Sequence, residues 1–584
     1  MVVVIRWQYY GHFILNAQQV MGLLRLQVMK TRRCFAQLIS FNVLFLLSVF
    51  SFAGYPPIDS SARDCDGLAQ LPIGSIPGTC LGLLADNIQY KQKGVNFKKP
   101  RKALELPQTH QILVTDMGGW TAGRGILWLL EFESNRYRQL ISASKVAEKL
   151  VLPHDIKLGI DGNIYLGEAH QITRFRIKDR RIIDREAVIA GLPYPDGKYL
   201  HPLTSFVFLK NNDLLINVGS KTDDCGLLKK ANSSNSASIN DTECAEIKDV
   251  GLRRYGFNAK NNRWDTEFDQ YATGLRNSVA LLVHSSGTIL QGENSADLKD
   301  ANEPYEEINL IEQGGYYGWP YCMNRDFSWN GKAHAFNESL CNKKNYKAPY
   351  SLMPPHVAPL DMIYYTGTKL AMLTDQLLMS WHGYRVVGNR LVSYEVNSKG
   401  LPILTASESV SFQRDPIAPQ VEFTQHFFAP KGGSKLDAQH REVISHWNSV
   451  KGLRPEGAPV GLLQLADGSV LIVDDKNKAL LRLSNGTSFE GNKLADSTLP
   501  YEAAKIIGFN FSGPRKTLMI DQCSACHNEL KSDPGVLLNS NAGWLRLLNE
   551  KTLLQTKLTN EAGFMPPTGK LLPEQVQLIL QGVE

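Results

Sequence analysis

Two cysteines separated by two residues, and followed directly by a histidine, lie near the end of the chain. Cys523, Cys526 and His527 form a C-x-x-C-H sequence, in which the thiols form thioether bonds to haem and the histidine binds its iron. A C-x-x-C pair could also hold zinc or act as a redox pair, but zinc needs a second ligand pair that is missing here. The motif therefore predicts one covalent haem c and a role in electron transfer.

A methionine downstream of this motif is a candidate for the sixth ligand of the haem iron. Met565 stands directly before two prolines, which favour an extended loop, and the segment resembles the distal-ligand loop of small class I cytochromes c. In a random loop, a methionine would usually be only an apolar filler. We predict a small all-α cytochrome c domain at residues 515–584, joined by a linker at 491–514.

One phrase recurs in the middle of the chain: a turn, a short apolar run and a polar or acidic end. The six copies occupy residues 111–117, 161–168, 212–219, 287–294, 375–382 and 467–475. Repeated multi-strand units at spacings near or above about fifty residues are typical of propeller blades. The repeat predicts an all-β six-bladed β-propeller at residues 95–490, with a β-sandwich or mixed β domain as the alternative.

The polar ends of these six strands are candidate site residues. They are Asp116, Glu168, Asn217, Asn294, His382 and Asp475. Because equivalent strands of a propeller are arranged radially, we expect these side chains around one mouth of the central channel. A concave mouth with converging polar groups is where a ligand would bind.

Six of the nine cysteines fall into local pairs. The pairs are Cys65 with Cys80, Cys225 with Cys244, and Cys322 with Cys341. In an exported chain, such pairs meet an oxidising compartment in which disulfides persist. We predict three disulfides, with free buried thiols as the alternative.

The first 53 residues have the layout of a secretory signal peptide. Basic residues at 30–33 precede an apolar run at 41–52, and small residues follow it. Because the run is too short for a stable membrane anchor, we predict cleavage near Gly54, with Met29 as an alternative start. A segment at 54–94 would then precede the propeller, and the mature protein would be periplasmic or secreted.

The charge of the chain excludes one class of partner. Five of the basic residues that make up the formal excess of +6 lie in residues 1–53, which hold no acidic residue, so the remainder carries +1. Without a basic tract, nothing electrostatic favours binding to nucleic acid. The sequence after residue 53 also contains no apolar run of membrane-spanning length.

Several segments together resemble the quinoprotein glucose and sorbosone dehydrogenase family. They are residues 152–155, 274–278, 291–294, 306–311, 314–320 and 382–385, and the resemblance covers most of residues 100–485. It implies a propeller that oxidises a sugar with pyrroloquinoline quinone (PQQ) and calcium. The haem would then carry electrons to an external acceptor, such as a periplasmic cytochrome, a quinone or an oxidase.

The resemblance also implies roles for individual residues. His154 would be the base that takes the proton from the sugar C1 hydroxyl, a task that suits a neutral imidazole. PQQ is a flat tricarboxylate, for which the planar donor fork of arginine is well suited. The implied PQQ-binding residues are Arg276, Asn277, Asn294, His382, Arg385 and Arg454. Each arginine could alternatively be a salt-bridge partner at the surface.

Calcium is implied in the same way, because it prefers oxygen ligands and can polarise a quinone carbonyl. The carbonyls of Ser295 and Ala296 would bind it, and Glu307 would hold a second ion. Two positions depart from the family pattern: Pro153 replaces an acidic residue, and Asn294 stands where a glutamine is expected. These departures leave the sugar open. The alternatives are a calcium-dependent propeller hydrolase or lactonase and a noncatalytic carbohydrate-binding propeller.

Overall fold

The computed structural model describes residues 55, 63–194, 200–225, 244–297, 304–323, 327–328, 345–383, 388–406, 436–444, 447, 457–489 and 576–577. The predicted signal peptide and all but two residues of the predicted cytochrome domain lie outside this part of the chain. Outside it as well are several predicted site residues, namely Arg385, Arg454, Cys341, Cys523, Cys526, His527 and Met565.

The described residues form a six-bladed β-propeller, as predicted, and each blade is an antiparallel up-and-down sheet. The first blade consists of Pro100–Leu106, Gln111–Asp116, Gly125–Phe132 and Leu140–Leu150. The second consists of Ile156–Leu158, Ile164–Glu168, Gln171–Lys178 and Arg181–Ala190. The third consists of Phe206–Phe208, Leu214–Val218, Gly251–Tyr255 and Asp269–Thr273, with Gly315–Tyr316 added in parallel at its outer edge.

The remaining blades follow in chain order. The fourth consists of Ala280–Val283, Ile289–Glu293, Tyr305–Leu310 and Ser351–Pro355. The fifth consists of Pro359–Tyr365, Gln376–Trp381, Arg390–Glu395 and His440–Ile444. The sixth consists of Pro459–Gln464, Val470–Asp474 and Ala479–Asn485, with Thr79–Asp86 as its outer strand. The first strand of each blade is innermost, because first strands of neighbouring blades contact one another.

Shorter elements connect the blades or decorate them. Two-stranded hairpins pair Asp64–Cys65 with Leu68–Ala69, Phe257–Asn258 with Arg263–Trp264, Cys322–Met323 with Phe327–Ser328, and Leu404–Ala406 with Leu436–Ala438. Turns of 3₁₀ helix lie at Lys91–Lys93, Ala245–Lys248 and Ala371–Leu373. Within the described ranges, no helix has the length and apolar character needed to cross a bilayer.

The repeated phrase corresponds to the second strand of every blade. The second strands are buried almost without interruption, as in Ile164–Glu168 and Val470–Asp474, because neighbouring blades pack against both of their faces. A strand that is covered on both faces reads as a continuous apolar run. Burial between blades is therefore the physical origin of the apolar part of the phrase.

The turn that begins each phrase has a common backbone requirement. The hairpin between the first and second strands contains one residue with positive φ in every blade. These residues are Gln108 (60°), Gly162 (73°), Asn212 (68°), Gly287 (96°), Asp375 (59°) and Gly468 (83°). Glycine, asparagine and aspartate are the residues that most readily adopt this left-handed conformation, and they occupy five of these six positions.

The ring is closed by pairing the two ends of the propeller. Thr79–Asp86, which lies in the predicted N-terminal segment, pairs antiparallel with Ala479–Asn485. The closing strand is also held covalently, because Cys80 forms a disulfide with Cys65. A second predicted disulfide joins Cys225 and Cys244. Both pairings are confirmed, and Cys322 is disulfide-bonded as well.

Removing the first disulfide is expected to weaken the ring closure. In the double variant Cys65→Ala, Cys80→Ala, the free energy of unfolding should fall by about 3 kcal/mol, since the bond closes a loop of fifteen residues. Urea unfolding monitored by tryptophan fluorescence would measure the loss. The control is the double variant Cys225→Ala, Cys244→Ala. It removes the disulfide that closes a loop of nineteen residues away from the closing strand. If the first pair were dispensable while the second was not, the closing strand would not need its covalent link.

Candidate active site

Polar side chains converge where the second strand of a blade ends and the innermost strand begins. These two points are adjacent in the hairpin register, as in the pairs Pro100 with Asp116 and Pro359 with Trp381. Asp116 and Asn217 bind mainly backbone groups and hold the loops of this mouth. Glu168 accepts from the backbone N–H of Val151 and from the side chains of Gln171 and Arg185. The other three predicted strand-end residues each contact the next blade around the ring.

Asp475 is the centre of a buried ionic network at this mouth. Its Oδ2 accepts a hydrogen bond from Arg101 Nη1 at 2.7 Å and lies 3.6 Å from Lys99 Nζ. Its Oδ1 lies 3.0 Å from His382 Nε2. Although burial favours the protonated acid, His382, Arg101 and Lys99 hold the pKa of the Asp475 carboxyl below its usual value. Asp475 is therefore an ionised carboxylate that bridges three basic groups.

His154 lies on the other side of Arg101 and is completely buried, with 0% of its surface exposed. Arg101 Nε lies 3.3 Å from His154 Nδ1, and the backbone carbonyl of His154 accepts a hydrogen bond from Thr115 Oγ1. Burial, reinforced by the charges of Arg101, Lys102 and Lys157, lowers the pKa of His154 well below its usual value. His154 is therefore a neutral imidazole.

The hydrogen bonds of the two histidines place a proton on Nε2 of each ring. Arginine can only donate, so Nδ1 of neutral His154 accepts from Arg101 and the ring proton lies on Nε2. Aspartate as an anion can only accept, so His382 donates from Nε2 to Asp475. His154 therefore offers a hydrogen-bond donor at Nε2, whereas Nε2 of His382 is already paired with a carboxylate.

A buried lysine connects three blades below this network. Lys102 Nζ donates a hydrogen bond to Asp361 Oδ1 at 2.8 Å and lies 3.6 Å from Asp155 Oδ1. Burial alone would lower the pKa of Lys102, but the two carboxylates raise it above its usual value. Lys102 is therefore a charged pin that joins the inner strands of the first and fifth blades and the start of the second.

Replacing this pin with an uncharged residue should destabilise the propeller. In Lys102→Met, Asp155 and Asp361 would lose a buried cation, and we expect the free energy of unfolding to fall by about 3 to 5 kcal/mol. Denaturant unfolding would measure this loss. Lys157→Met is a matched control, because Lys157 contacts the same Asp155 at 3.3 Å but is partly exposed, so about 1 kcal/mol or less is expected. Equal losses in the two variants would contradict the role of the pin.

Arg276 has its guanidinium occupied by groups of the chain itself. Its Nε donates to Asp223 Oδ1 at 2.9 Å, its Nη2 donates to the same oxygen, and its Nη1 donates to the carbonyl of Asn294 at 2.7 Å. Only 3% of the Arg276 surface is exposed. In this structure, Asp223 therefore holds the position that a ligand carboxylate would take in the predicted PQQ site.

The next residue in the chain leaves an acceptor available. Asn277 Oδ1 is a buried atom without a hydrogen-bond partner among the described residues, and the backbone N–H of Asn277 donates to Glu293 Oε1 at 2.8 Å. Asn294, which precedes the predicted calcium ligands, donates from Nδ2 to the carbonyl of Pro359 at 2.7 Å. The side chains of the predicted Arg-Asn pair thus differ: the Arg276 guanidinium is bound by groups of the chain, whereas Asn277 Oδ1 has no hydrogen-bond partner among the described residues.

Two buried carboxyl groups lie beside the predicted calcium ligands Ser295 and Ala296. Burial raises the pKa of Glu293 to about 7, and burial together with the nearby Glu293 raises that of Glu306 to about 8. The backbone N–H of Ser295 donates to Glu306 Oε2. Glu307 instead accepts a hydrogen bond from Asn309 Nδ2 at 3.2 Å. In the described part of the chain, no group of three or more His, Cys, Asp or Glu side chains has the spacing of a metal site.

The sequence matches a known family over more than half of its length. A family model described as TrAA12-like matches residues 83–417. The chain belongs to the TrAA12-like family. No curated protein matches the sequence significantly.

Solved structures share the propeller of this TrAA12-like chain at low sequence identity. The holo PQQ domain of pyranose dehydrogenase from Coprinopsis cinerea is 17% identical, with 72% of this chain and 99% of that chain covered at a TM-score of 0.51. A calcium structure of a Trichoderma reesei AA12 enzyme is 17% identical, with coverages of 73% and 100% and a TM-score of 0.49. The soluble aldose sugar dehydrogenase of Escherichia coli is 14% identical, with coverages of 70% and 100% and a TM-score of 0.42. The predicted relationship is confirmed at the level of family and fold.

Sequence reasoning named some members of this site and missed others. The structure brings His154, His382 and Asp475 into one network and places Arg276, Asn277, Asn294, Ser295 and Ala296 together at the fourth blade. The missed residues are Lys99, Arg101, Lys102, Asp155, Asp361, Glu293 and Glu306. Most of them lie at the start of an innermost strand, opposite a predicted strand end. These residues could have been found by pairing each repeated segment with the preceding strand in an antiparallel hairpin, which places the start of that strand opposite the polar strand end.

Proposed function

We propose that this chain is an exported quinohaemoprotein that oxidises an aldose or related sugar with PQQ and passes the electrons through a covalent haem c. The observation that carries this proposal is the network of Arg101, Asp475 and His382 beside the buried His154. It supplies the neutral imidazole of His154 and fixed charges at the mouth of a propeller of the TrAA12-like family. The similar domain from Coprinopsis cinerea, a PQQ domain of a pyranose dehydrogenase, supports the same reaction class.

The residues of the mouth fit a flat ligand with several carboxylates and carbonyls. Lys99 and Arg101 supply cations, and His154 Nε2 and Asn277 Oδ1 are buried atoms without a partner among the described residues. A buried polar atom without a partner costs free energy until a ligand satisfies it. PQQ, when bound, supplies the acceptor for the hydride that leaves C1 of the sugar. The predicted contributions of Arg385 and Arg454 lie outside the described residues.

The charged neighbours divide the proton handling between the two histidines. His382 would take the C1 hydroxyl proton, because the Asp475 carboxylate beside it stabilises the imidazolium that forms. His154 would donate a hydrogen bond from Nε2 and orient an oxygen atom of the ligand. The basic role thus moves to His382 from His154, to which the resemblance gave it. The physical reason is that Arg101 donates to His154 Nδ1, and that burial and nearby cations lower the pKa of His154.

Calcium would bind at the fourth blade, where the carboxyl groups of Glu293 and Glu306 lie near one another. The candidates are the carbonyls of Ser295 and Ala296, which the resemblance implies, and the carboxylate of Glu306, which accepts from the Ser295 N–H. Hard cations such as calcium prefer carboxylate and carbonyl oxygens. Glu307 remains a prediction for a second ion, although its carboxylate accepts from Asn309 in this structure.

The haem provides the outlet for the electrons. Cys523 and Cys526 would attach it, and His527 and Met565 would bind its iron, a ligand pair that raises the reduction potential relative to two histidines. The electrons would then leave one at a time to an external acceptor. The disulfides agree with an oxidising compartment, so we propose a periplasmic or secreted location.

One reconstitution tests this function. Purified full-length protein is loaded with PQQ and calcium, mixed with a panel of aldoses, and followed by haem absorbance and by a dye that accepts electrons directly. Sugar-dependent reduction of the dye and of the haem is expected, and only with PQQ present. If no sugar reduces either acceptor, the dehydrogenase proposal fails. Hydrolysis of lactones without PQQ would establish the hydrolase alternative instead.

A further inference from the structure

A tryptophan at the mouth is exposed although indole side chains are usually well covered. Trp120 has 59% of its surface exposed and lies in the loop that joins Gln111–Asp116 to Gly125–Phe132. This loop follows the polar end of the second strand, and it therefore lies at the same end of the propeller as the candidate active site. An exposed aromatic side chain at a ligand-binding mouth is a candidate contact for substrate.

Lys99 connects this indole to the active-site network. Its Nζ lies 5.5 Å from the centroid of the Trp120 ring and 3.6 Å from Asp475 Oδ2. The other oxygen of Asp475 lies 3.0 Å from His382. A ligand that covers Trp120 and Lys99 would therefore reach the charged groups around the proposed base.

The base of the loop is held in one arrangement. Asp116 accepts hydrogen bonds from the backbone N–H groups of Lys99 and Gly118 at 2.7 and 2.9 Å. Gly118 has φ +68°, and a Cβ atom there would lie 1.9 Å from the carbonyl oxygen of Arg124, so this position requires glycine. The loop therefore presents Trp120 from a fixed base beside Lys99.

We propose that Trp120 and Lys99 form a sugar-binding subsite, in which the indole stacks on the apolar face of a pyranose ring and the ammonium donates hydrogen bonds to its hydroxyls. A pyranose presents both surfaces, an apolar C–H face and a polar rim. The indole supplies a large rigid apolar face, and lysine supplies three donors. The subsite rests on the proposed sugar oxidation and names the residues that hold the ring.

Binding of a sugar that cannot react tests this subsite separately from catalysis. A 1,5-anhydro pyranitol lacks the C1 hydroxyl, and its affinity for PQQ- and calcium-loaded protein can be measured by calorimetry. In Trp120→Ala, we expect the Kd of this probe and the KM of the matching aldose to rise roughly 3- to 10-fold, with kcat near that of the wild type. Trp120→Phe keeps an aromatic face, so its Kd and KM should lie between those of the wild type and those of Trp120→Ala.

Ile141→Ala is the matched control, because Ile141 is 51% exposed on the outer strand Leu140–Leu150 of the same blade. Ile141→Ala should change neither the Kd of the probe nor the KM of the aldose. An unchanged Kd in Trp120→Ala would overturn the subsite. Slower haem reduction with unchanged dye reduction and unchanged Kd would also overturn it, and would assign Trp120 to docking of the cytochrome domain. Wild-type protein that binds the probe but oxidises no sugar would refute the proposed function and leave the subsite standing.

Discussion

His382→Ala is expected to lower the turnover number of sugar oxidation by about 10²- to 10⁴-fold, the usual contribution of a positioned general base. The reason is that Asp475 accepts from His382 Nε2 and would stabilise the imidazolium that forms when the ring takes a proton. The KM should change far less, because the cations and the indole remain. Steady-state rates with the dye acceptor would measure the effect without the haem.

The matched variant is His154→Gln, which places an amide N–H donor near the position of Nε2 and removes the imidazole. If His154 only donates a hydrogen bond, the turnover number of this variant should fall by about 10-fold or less, which is the loss of a single weakened hydrogen bond. A much larger loss in His154→Gln than in His382→Ala would return the basic role to His154. Unchanged haem spectra and PQQ binding in both variants would exclude general misfolding.

The blade architecture could be predicted because its physical cause is local and repeated. Each second strand carries its own turn with positive φ and its own apolar run, so the pattern is visible within about eight residues. The closing strand Thr79–Asp86 lacks this phrase, because it lies at the outer edge of a blade and pairs with Ala479–Asn485 nearly four hundred residues later. Such pairing leaves no short-range signature, so sequence reasoning assigned this strand to a segment before the propeller.

The site could be predicted only where its residues belong to a recognisable pattern. His382 and Asp475 end a repeated strand, and His154 precedes one, which made all three visible. Arg101 and Lys102 read in the sequence as ordinary surface cations, since arginine and lysine are rarely buried without a partner. Their partners Asp475 and Asp361 are more than 250 residues away in the sequence, so the burial of Arg101 and Lys102 becomes visible only in the folded ring.

Arg276 shows a different limit of sequence reasoning. An arginine followed by asparagine predicts a donor for a ligand carboxylate, and the structure does show a carboxylate at that guanidinium. The carboxylate belongs to Asp223, which lies 53 residues earlier in the chain. Residue type determines which chemistry a side chain prefers, whereas the path of the chain determines whether a ligand or a loop satisfies it. If Arg276 binds PQQ as proposed, the affinity would therefore depend on whether Asp223 is displaced.

The second large effect is expected at the haem, because thioether attachment needs both thiols. In Cys523→Ser with Cys526→Ser, no haem should remain bound after denaturing electrophoresis, whereas the wild-type chain should retain it. Reduction of the dye by sugar should persist, since the proposed reaction at the propeller does not use the haem. Loss of both activities would mean that the propeller requires the cytochrome domain to fold or to bind its cofactor.

Met565→Ala separates attachment of the haem from its ligation. The haem should stay covalently bound, but its sixth site should open and its reduction potential should fall, because a thioether ligand favours the reduced iron. Sugar should then still reduce the dye at the wild-type rate while reduction of the haem slows. An unchanged reduced spectrum and an unchanged reduction potential would contradict the assignment of Met565 as the sixth ligand of the haem iron. The histidine variants should therefore impair sugar oxidation and leave the haem intact. The haem variants should impair electron transfer to the haem and leave sugar oxidation intact.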